Sequence, residues 1–458
     1  MIKPVFLWSD IALFALIACL VVFIIQIRNN PLAKERWSSV FQSKVGMASF
    51  LVILFYASIA ILDSFHYREQ LPALEGQGEQ TVAYSNEVHS VLDIVLSDLR
   101  AKTETTYSAP FSIYSFNKEN MTAEDGSIYR DYPRLKHSGL HLDSQDEVLA
   151  DVFVKSLIAI VIGLIVAVIP ILAHRHWVRA NRGNTDYPWH VAYITFAVLC
   201  VVSSWILYIS QYYYIMGTDQ VGIDVLYQSI KAIRTGVLIG TLATIVTLPL
   251  AIILGICAGY FKGWVDDLIQ YIYTVLSSIP FILLIAASVL LIDVYIETNS
   301  ENFNLTILRS DFKFVALCAI LGFASWTTLC RLLRAESLKV SQLDYVQAAH
   351  AFGVSHTSVI RRHILPNITH IILIVMVLDF SNFILAEAVL SYIGVGVDPN
   401  MHSWGNMINA SRTELSRDPA IWWSVTSAFI FMFTLVLAAN LLSDEVRNAF
   451  DPRTAKGN

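Results

Sequence analysis

Two carboxylates, Asp379 and Glu387, stand eight residues apart in an otherwise apolar run. An unpaired charge inside a bilayer costs on the order of 3 kcal/mol or more, so both must face protein, water or a membrane edge. Eight residues of α-helix turn through about 80°, a spacing that lets both share one face and that a proton relay could use. Ser381 and Asn382 lie beside Asp379 as hydrogen-bond partners for a buried carboxylate. His137 and His141, and His174 and His176, are spaced for metal ligation, but no third ligand stands beside either pair; solvated or interfacial histidines are the expectation. Phosphate chemistry needs Gly-x-x-x-x-Gly-Lys-Ser/Thr, which this chain lacks, so no cofactor is expected on it and ATP must be bound by another subunit.

A second constellation is polar and basic: Asp344 to Asn367, DYVQAAHAFGVSHTSVIRRHILPN, lying between two long hydrophobic runs. Ser341 and Asp344 have the spacing of a helix N-terminus, and Gly353 sits where a left-handed C-cap is expected after the helix-favouring Ala348, Ala349 and Ala351. Ser355 then caps a short second helix with Val359, Ile360 and Ile364 on one face, Arg361, Arg362 and His363 polar, and Pro366 closing it. The expected product is a helix–turn–helix stub able to dock in another protein's groove.

The rest of the chain must hold these groups in a membrane. Of 458 residues, 55% are hydrophobic and 15% charged, and the mean hydropathy is +0.56, which excludes a soluble globular protein. Apolar runs near the roughly 20 residues that a bilayer requires occur at Asp10–Ile27, Gly46–Leu62, Val152–Ala173, His190–Ile209, Val237–Tyr260, Leu268–Ile292, Val315–Leu332, Ile368–Val389 and Trp422–Leu442. The expected class is therefore an all-α polytopic membrane protein of about nine helices. Basic residues collect in three loops on one side: Arg28, Lys34, Arg36 and Lys44; Arg175, Arg179 and Arg182; Arg331, Arg334, Lys339, Arg361 and Arg362. The positive-inside rule makes that side cytoplasmic, with the N-terminus outside and the C-terminus inside. The first run has only Lys3 before it and no clear small-x-small site, and is expected to stay as a helix. All five cysteines lie in or beside apolar runs, so no disulfide framework is encoded.

Between Asp63 and Asp151 the composition turns polar and acidic, with Gly76-Gln77-Gly78 and scattered tyrosines, as expected of an extracytoplasmic insertion. Within it, residues 88–99 have helical spacing and Phe111–Phe116 alternates like a half-buried strand.

The polar loop resembles the EAA loop of ABC-transporter permeases, which in that family couples the permease to its ATPase. Ala348, Ala349, Gly353, Leu365 and Pro366 match, and His363–Asn367 has the wording of the oligopeptide and dipeptide branch; Gln347 stands where Glu is usual. Gln keeps the hydrogen-bonding capacity and loses the charge, which puts an ion pair from this position in doubt and leaves helix packing intact. By this resemblance the coupling set is Asp344, Gln347, Ala348, Ala349, Gly353, Ile364, Leu365 and Pro366.

From Gly217 onward the resemblance to the C-type subunit of oligopeptide and dipeptide permeases is continuous. Gly217, Thr218, Asp219, Gly222 and Asp224 match its external segment, with Ile223 replacing the usual Arg. Ala258–Asp266, Ser278-Ile-Pro280, Glu387–Gly396, Ser403–Met407 and the tail Asp444–Arg453 follow at family spacing. Glu387 falls in a family segment, favouring polar packing over proton coupling, whereas Asp379 matches nothing assignable. The resemblance implies a six-helix type I importer core plus three extra spans. The expected division is 1–62 for two N-terminal helices (one extra, one family-like), 63–151 for a periplasmic insertion, 152–216 for an extra hairpin and 217–458 for the permease core with its coupling loop at 341–367.

What the resemblance implies for function is a non-enzymatic membrane subunit of a bacterial inner-membrane importer of dipeptides or oligopeptides. Its partners would be a second, B-type permease, two ATP-binding subunits carrying ATP and Mg, a periplasmic substrate-binding protein and the lipid bilayer, with no nucleic acid. Related importers of nickel chelates, glutathione or peptide-like antibiotics share the pattern. A proton-coupled transporter using Asp379 and Glu387 would usually show repeated halves, and none is visible. A scaffold acting through its external segment is the third reading.

Overall fold

The computed structural model describes residues 2–70, 84–122, 127–180, 187–303 and 305–450. Gly76-Gln77-Gly78, Arg182 and Asp451–Arg453 of the tail motif lie outside the described residues.

In chain order the helices are α1 (Trp8–Asn29), α2 (Pro31–Gln42), α3 (Lys44–Asp63), α4 (Val91–Val95), α5 (Ser97–Ala101), α6 (Val148–Ala180), α7 (Trp189–Ile209), α8 (Val225–Phe261) and α9 (Gly263–Ser278). They continue with α10 (Phe281–Thr298), α11 (Thr306–Val340), α12 (Asp344–Ala351), α13 (His356–Val359), α14 (Leu365–Ile393), α15 (Trp404–Glu414) and α16 (Trp423–Phe450). The strands are β1 (Ile2–Val5), β2 (His66–Glu69), β3 (His89–Ser90), β4 (Glu119–Thr122) and β5 (Ile128–Asp131). Nine helical stretches among the described residues are long and apolar enough to cross a membrane, and each overlaps an expected run. Helices dominate because a segment in hydrocarbon must satisfy its own backbone N–H and C=O groups.

The sixth expected span, Leu268–Ile292, is two helices. Pro280 lacks an N–H and forces Ile279 into extended backbone (φ −86°, ψ 130°), so α9 ends and α10 alone has spanning character.

Contacts divide the chain into two compact units: Met1–Phe6, Gln42–Gly236 and Met401–Leu435 form one, and Leu7–Phe41, Val237–Asn400 and Val436–Asn458 the other. In the first, α6 and α7 pack as a hairpin, with Ser204 donating to the Ala159 carbonyl (3.0 Å) and Trp205 Nε1 to Ser156 Oγ (2.9 Å). β2 is the middle strand of an antiparallel sheet, between β1 and β3, and β4 pairs antiparallel with β5. The helix expected over 88–99 breaks at Leu96 into α4 and α5. Phe111–Phe116 is not a strand. Phe111 turns the chain at φ +56°, and Ser112 Oγ captures the Tyr114 N–H (3.1 Å), leaving single bridges at Ser115 and Tyr114 in place of a ladder.

The insertion is fastened by a buried charge cluster. Lys231 of α8 lies 2.5 Å from Asp63 at the end of α3 and 3.0 Å from Asp93 of α4, with side chains 11%, 5% and 6% exposed. Ser90 opens α4 through a capping box with Asp93, and Tyr227 donates to the other side of that carboxylate (2.8 Å). Burial would raise the Asp93 carboxyl, but Lys231 and these donors hold it down at about 2.

In the second unit, the Ser9 N–H and hydroxyl at the start of α1 both bind the Asp311 carboxylate of α11. Lys313 of α11 pairs with Asp293 of α10 at 2.8 Å.

Removing one member of a buried ion cluster leaves its partners uncompensated. Lys231→Met is expected to destabilise the protein by about 3–5 kcal/mol, and the triple change Lys231→Met/Asp63→Asn/Asp93→Asn to restore most of that loss. Unfolding in detergent measures both, and a single variant as stable as the wild type would refute the cluster's role.

Candidate functional site

The polar loop is a built helix–turn–helix. α12 begins at Asp344, yet Ser341 is not its cap: Ser341 Oγ donates to the Leu338 carbonyl, still within the last turn of α11, and Leu343 takes the N-cap position without a side-chain bond. The C-terminal end follows the expectation. Gly353 adopts φ +73°, its N–H reaches the His350 carbonyl (3.0 Å) and Val354 N–H reaches that of Ala349 (3.1 Å), the paired bonds of a Schellman turn. Apart from the glycine and its chain neighbours, no atom of the described residues lies within 4 Å of where a Cβ would sit, so it is the backbone angle that calls for glycine.

Ser355 occupies the N-cap position of α13 without a side-chain bond. Pro366 does not close the second helix. A wide turn over Ile360–Ile364, with Leu365 N–H bonded to the Ile360 carbonyl, carries the chain into α14, and Pro366 falls in the first turn of α14, where its missing N–H is tolerated.

The apolar face of this segment is used by the chain itself. Val346, Val359 and Ile364 are fully buried in one cluster with Ile256, Trp326 and Leu333, and Ala349, Ile360 and Leu365 pack against it. The expected docking face is therefore the anchoring face. What remains open is the opposite surface: Asp344, Gln347, Ala348 and Pro366 are exposed, and Phe352, beside the Schellman turn, is 86% exposed. Gln347 Nε2 turns back to the Gln342 carbonyl (3.1 Å).

One contact holds the loop and another ties α11, which leads into it, to α9, and neither is announced by a local pattern. Tyr260 OH at the end of α8 lies 2.8 Å from His350 Nε2 and 2.9 Å from His356 Nδ1, bridging α12 to α13. Arg334 of α11 forks onto Asp266 of α9 (Nε to Oδ1 2.5 Å, Nη2 to Oδ2 2.7 Å), and that hydrogen-bonded pair holds the Asp266 carboxyl below its ordinary range. The only hint was that Tyr260 and Asp266 both fall in Ala258–Asp266, one of the segments carrying the family resemblance.

Gly217, Thr218, Asp219, Gly222 and Asp224 form a clasp inside the first unit. Thr218 Oγ1 accepts from Ser108 N–H (2.7 Å) and donates to the Thr106 carbonyl (2.9 Å), and Trp423 Nε1 donates to the Thr218 carbonyl (2.9 Å). Asp219 accepts from Val221 and Ile223 N–H and from Gln228 Nε2. Gly217 and Gly222 have φ of +63° and +79°, and a Cβ on Gly222 would meet the Glu104 carbonyl oxygen at 2.0 Å. Asp224 Oδ1 accepts from Leu226 (2.7 Å) and Tyr227 (3.3 Å), capping α8.

Of the two membrane carboxylates, Glu387 is buried and accepts from Ser391 Oγ (2.7 Å), while Asp379 has no hydrogen bond or ion pair among the described residues. Ser381 does not serve it, since its buried Oγ has no hydrogen-bond partner among the described residues. The structure therefore does not join Asp379 and Glu387 by direct contact. His141 binds Asp151 (2.9 Å) and Lys155 (2.9 Å), and His174 binds Tyr193 OH (3.0 Å). Among the described residues no group of three or more His, Cys, Asp or Glu side chains could hold a metal.

Residues 251–456 match the family described as binding-protein-dependent transport system inner membrane component. Over 240 residues the chain is 32% identical to the glutathione transport system permease protein GsiD of Pectobacterium atrosepticum, covering 52% of this chain and 72% of that protein. It is similar at 29% to the oligopeptide transport system permease protein OppC of Haemophilus influenzae (53% and 71% covered). The dipeptide transport system permease protein DppC of Bacillus subtilis is 27% identical (52% and 68% covered).

Asp224 gives a pH test of the clasp. Burial lifts its carboxyl from 3.8 to about 7, with the two N–H donors acting against the rise. The folded state then holds the proton more tightly than the unfolded chain, so stability falls as pH climbs from about 4 through about 7. Asp224→Asn keeps an oxygen for both N–H groups and cannot ionise. Melting in detergent between about pH 5 and about pH 8 should show a flatter slope for the variant, and equal slopes would contradict this assignment.

Proposed function

Since this chain belongs to the family of binding-protein-dependent transport system inner membrane components, we propose that it is one membrane subunit of an ABC importer for peptides or for a peptide-like thiol such as glutathione. The subunit is no enzyme by itself. ATP and Mg act on two partner ATPases, a second, B-type permease completes the pathway, and a periplasmic binding protein delivers the cargo. The chain is oriented with its N-terminus periplasmic and its C-terminus cytoplasmic, so the 63–151 insertion meets the binding protein and the 341–367 loop meets an ATPase.

The observation that carries this reading is the two-faced loop. Its apolar side is anchored by Val346, Val359 and Ile364 in the chain's own core, while Phe352 projects beside a rigid left-handed turn. A ring held out on a fixed helix–turn–helix suits an aromatic anchor in a partner's pocket, where such residues concentrate binding energy.

Phe352→Asp leaves the chain's own packing untouched and places a charge at the docking tip. It is expected to weaken ATPase capture by at least about 2 kcal/mol while the melting temperature of the isolated chain is unchanged. Co-purification measures the first and unfolding the second. In proteoliposomes of the assembled complex, peptide uptake should require ATP and persist with a collapsed proton gradient. Uptake driven by the gradient without ATP would overturn the reading.

A further inference from the structure

A cavity of 620 Å³ lies within the first unit, enclosed by α3, α6 and α7, outside the part of the chain that matches the family. Its volume is that of an ordinary ligand site. Leu54 of α3 and Val166 of α6 line it and are themselves 51% and 54% exposed, so it opens sideways from helices long and apolar enough to span a membrane. Along α7 it extends from Phe196 to the residues that follow the helix, ending at Gln211. That is about 22 Å at 1.5 Å per residue, more than the roughly 15 Å of hydrocarbon in one leaflet.

The walls between their ends offer few hydrogen bonds. Ser58 donates to the Phe55 carbonyl (2.7 Å), Ser203 to that of Leu199 (2.8 Å) and Ser204 to that of Ala159 (3.0 Å), so the lining serines spend their protons on backbone, and Tyr208 and Gln211, near the end of the lining towards the insertion, carry its other polar side-chain groups. Water inside would find too few partners, and a sugar or peptide would lose its own. An alkyl chain loses nothing.

The end towards the insertion differs. Gln211 presents an exposed side-chain amide there, and Lys102 Nζ donates to the Ser210 (2.7 Å) and Gln211 (2.6 Å) carbonyls at the C-terminus of α7. An ammonium has three donors, and the third has no partner among the described residues. An apolar slot at bilayer depth with a cation and an amide at its mouth has the polarity profile of a phospholipid.

We propose that this cavity seats an acyl chain of an anionic phospholipid, whose phosphate is held at the mouth by Lys102 and Gln211. The lipid belongs to the leaflet on the insertion's side and fills the space between the extra α6–α7 hairpin and α3. This assignment stands apart from the transport reading, since it needs only that the chain is in a membrane.

The test uses the full chain in phosphatidylcholine vesicles doped with a phosphatidylglycerol or a phosphatidylcholine probe carrying a photoreactive group in mid-chain, with adducts mapped by mass spectrometry. Adducts are expected to concentrate on the lining of α3, α6 and α7, with the anionic probe favoured about fivefold, the effect of one lysine near a phosphate. Lys102→Gln should bring the two probes level. Ser203→Phe or Val166→Phe should cut labelling by both while melting stays that of the wild type; two fillers are named because either alone could disturb the hairpin. Labelling spread evenly over all exposed spans, or equal for the two headgroups in the wild type, would overturn the proposal. So would loss of cavity labelling in the assembled transporter, which would mean that a partner's helix fills it.

Discussion

A charge that stays ionised away from water needs an opposite charge or hydrogen-bond donors inside the protein, and this chain places such contacts where separate elements have to be held together. Lys231 draws Asp63 and Asp93 together, so that the end of a spanning helix, a turn of the insertion and the first turns of α8 share one site. Within the other unit, Arg334 grips Asp266 with a two-pronged fork, and Asp311 receives the start of α1 through Ser9. A hydrophobic contact would hold these elements with more slip. A fork or a shared carboxylate fixes both distance and angle, because its partners lose most of their binding when displaced by an ångström. The Tyr260 bridge is equally exacting, since Tyr260 reaches both His350 and His356 only where α8, α12 and α13 keep their spacing.

How much of this was legible in the sequence follows from the range of each interaction. Hydropathy over twenty residues is a local property, and all nine spans could be read from it. It is blind to single-residue punctuation, which is why Leu268–Ile292 read as one helix although Pro280 divides it. Gly353 was legible because a left-handed C-cap leaves a residue-type signature. The cap at Ser341 was not, because hydroxyl spacing cannot say whether the oxygen turns forward to a new helix or back to the old one.

The loop shows a further limit of periodicity. Val359, Ile360 and Ile364 do form one apolar face, but periodicity gives no address for it. In the structure the face closes on residues roughly a hundred positions away, such as Ile256, and what stays exposed is the opposite surface with Asp344, Gln347, Ala348 and Phe352. The same holds for Lys231, which reaches Asp63 168 positions away, and for Tyr227, which reaches Asp93 134 positions away; contacts of that separation leave no local trace.

The clasp at Gly217–Asp224 shows how a segment outside the family match was fitted to one that carries the family resemblance. The Glu104 N–H bonds to the Gly222 carbonyl at 3.0 Å, while the Glu104 carbonyl occupies the space that a Cβ on Gly222 would take. Glu104 then accepts from the N–H groups of Lys136 (3.0 Å) and His137 (2.9 Å), extending the hold to a second stretch of the insertion. A glycine suited to a tight turn thus doubles as the seat for the backbone of Glu104. Any side chain at 222 would have to displace backbone, not a flexible side-chain end, so the turn and the insertion constrain each other's sequence at that point.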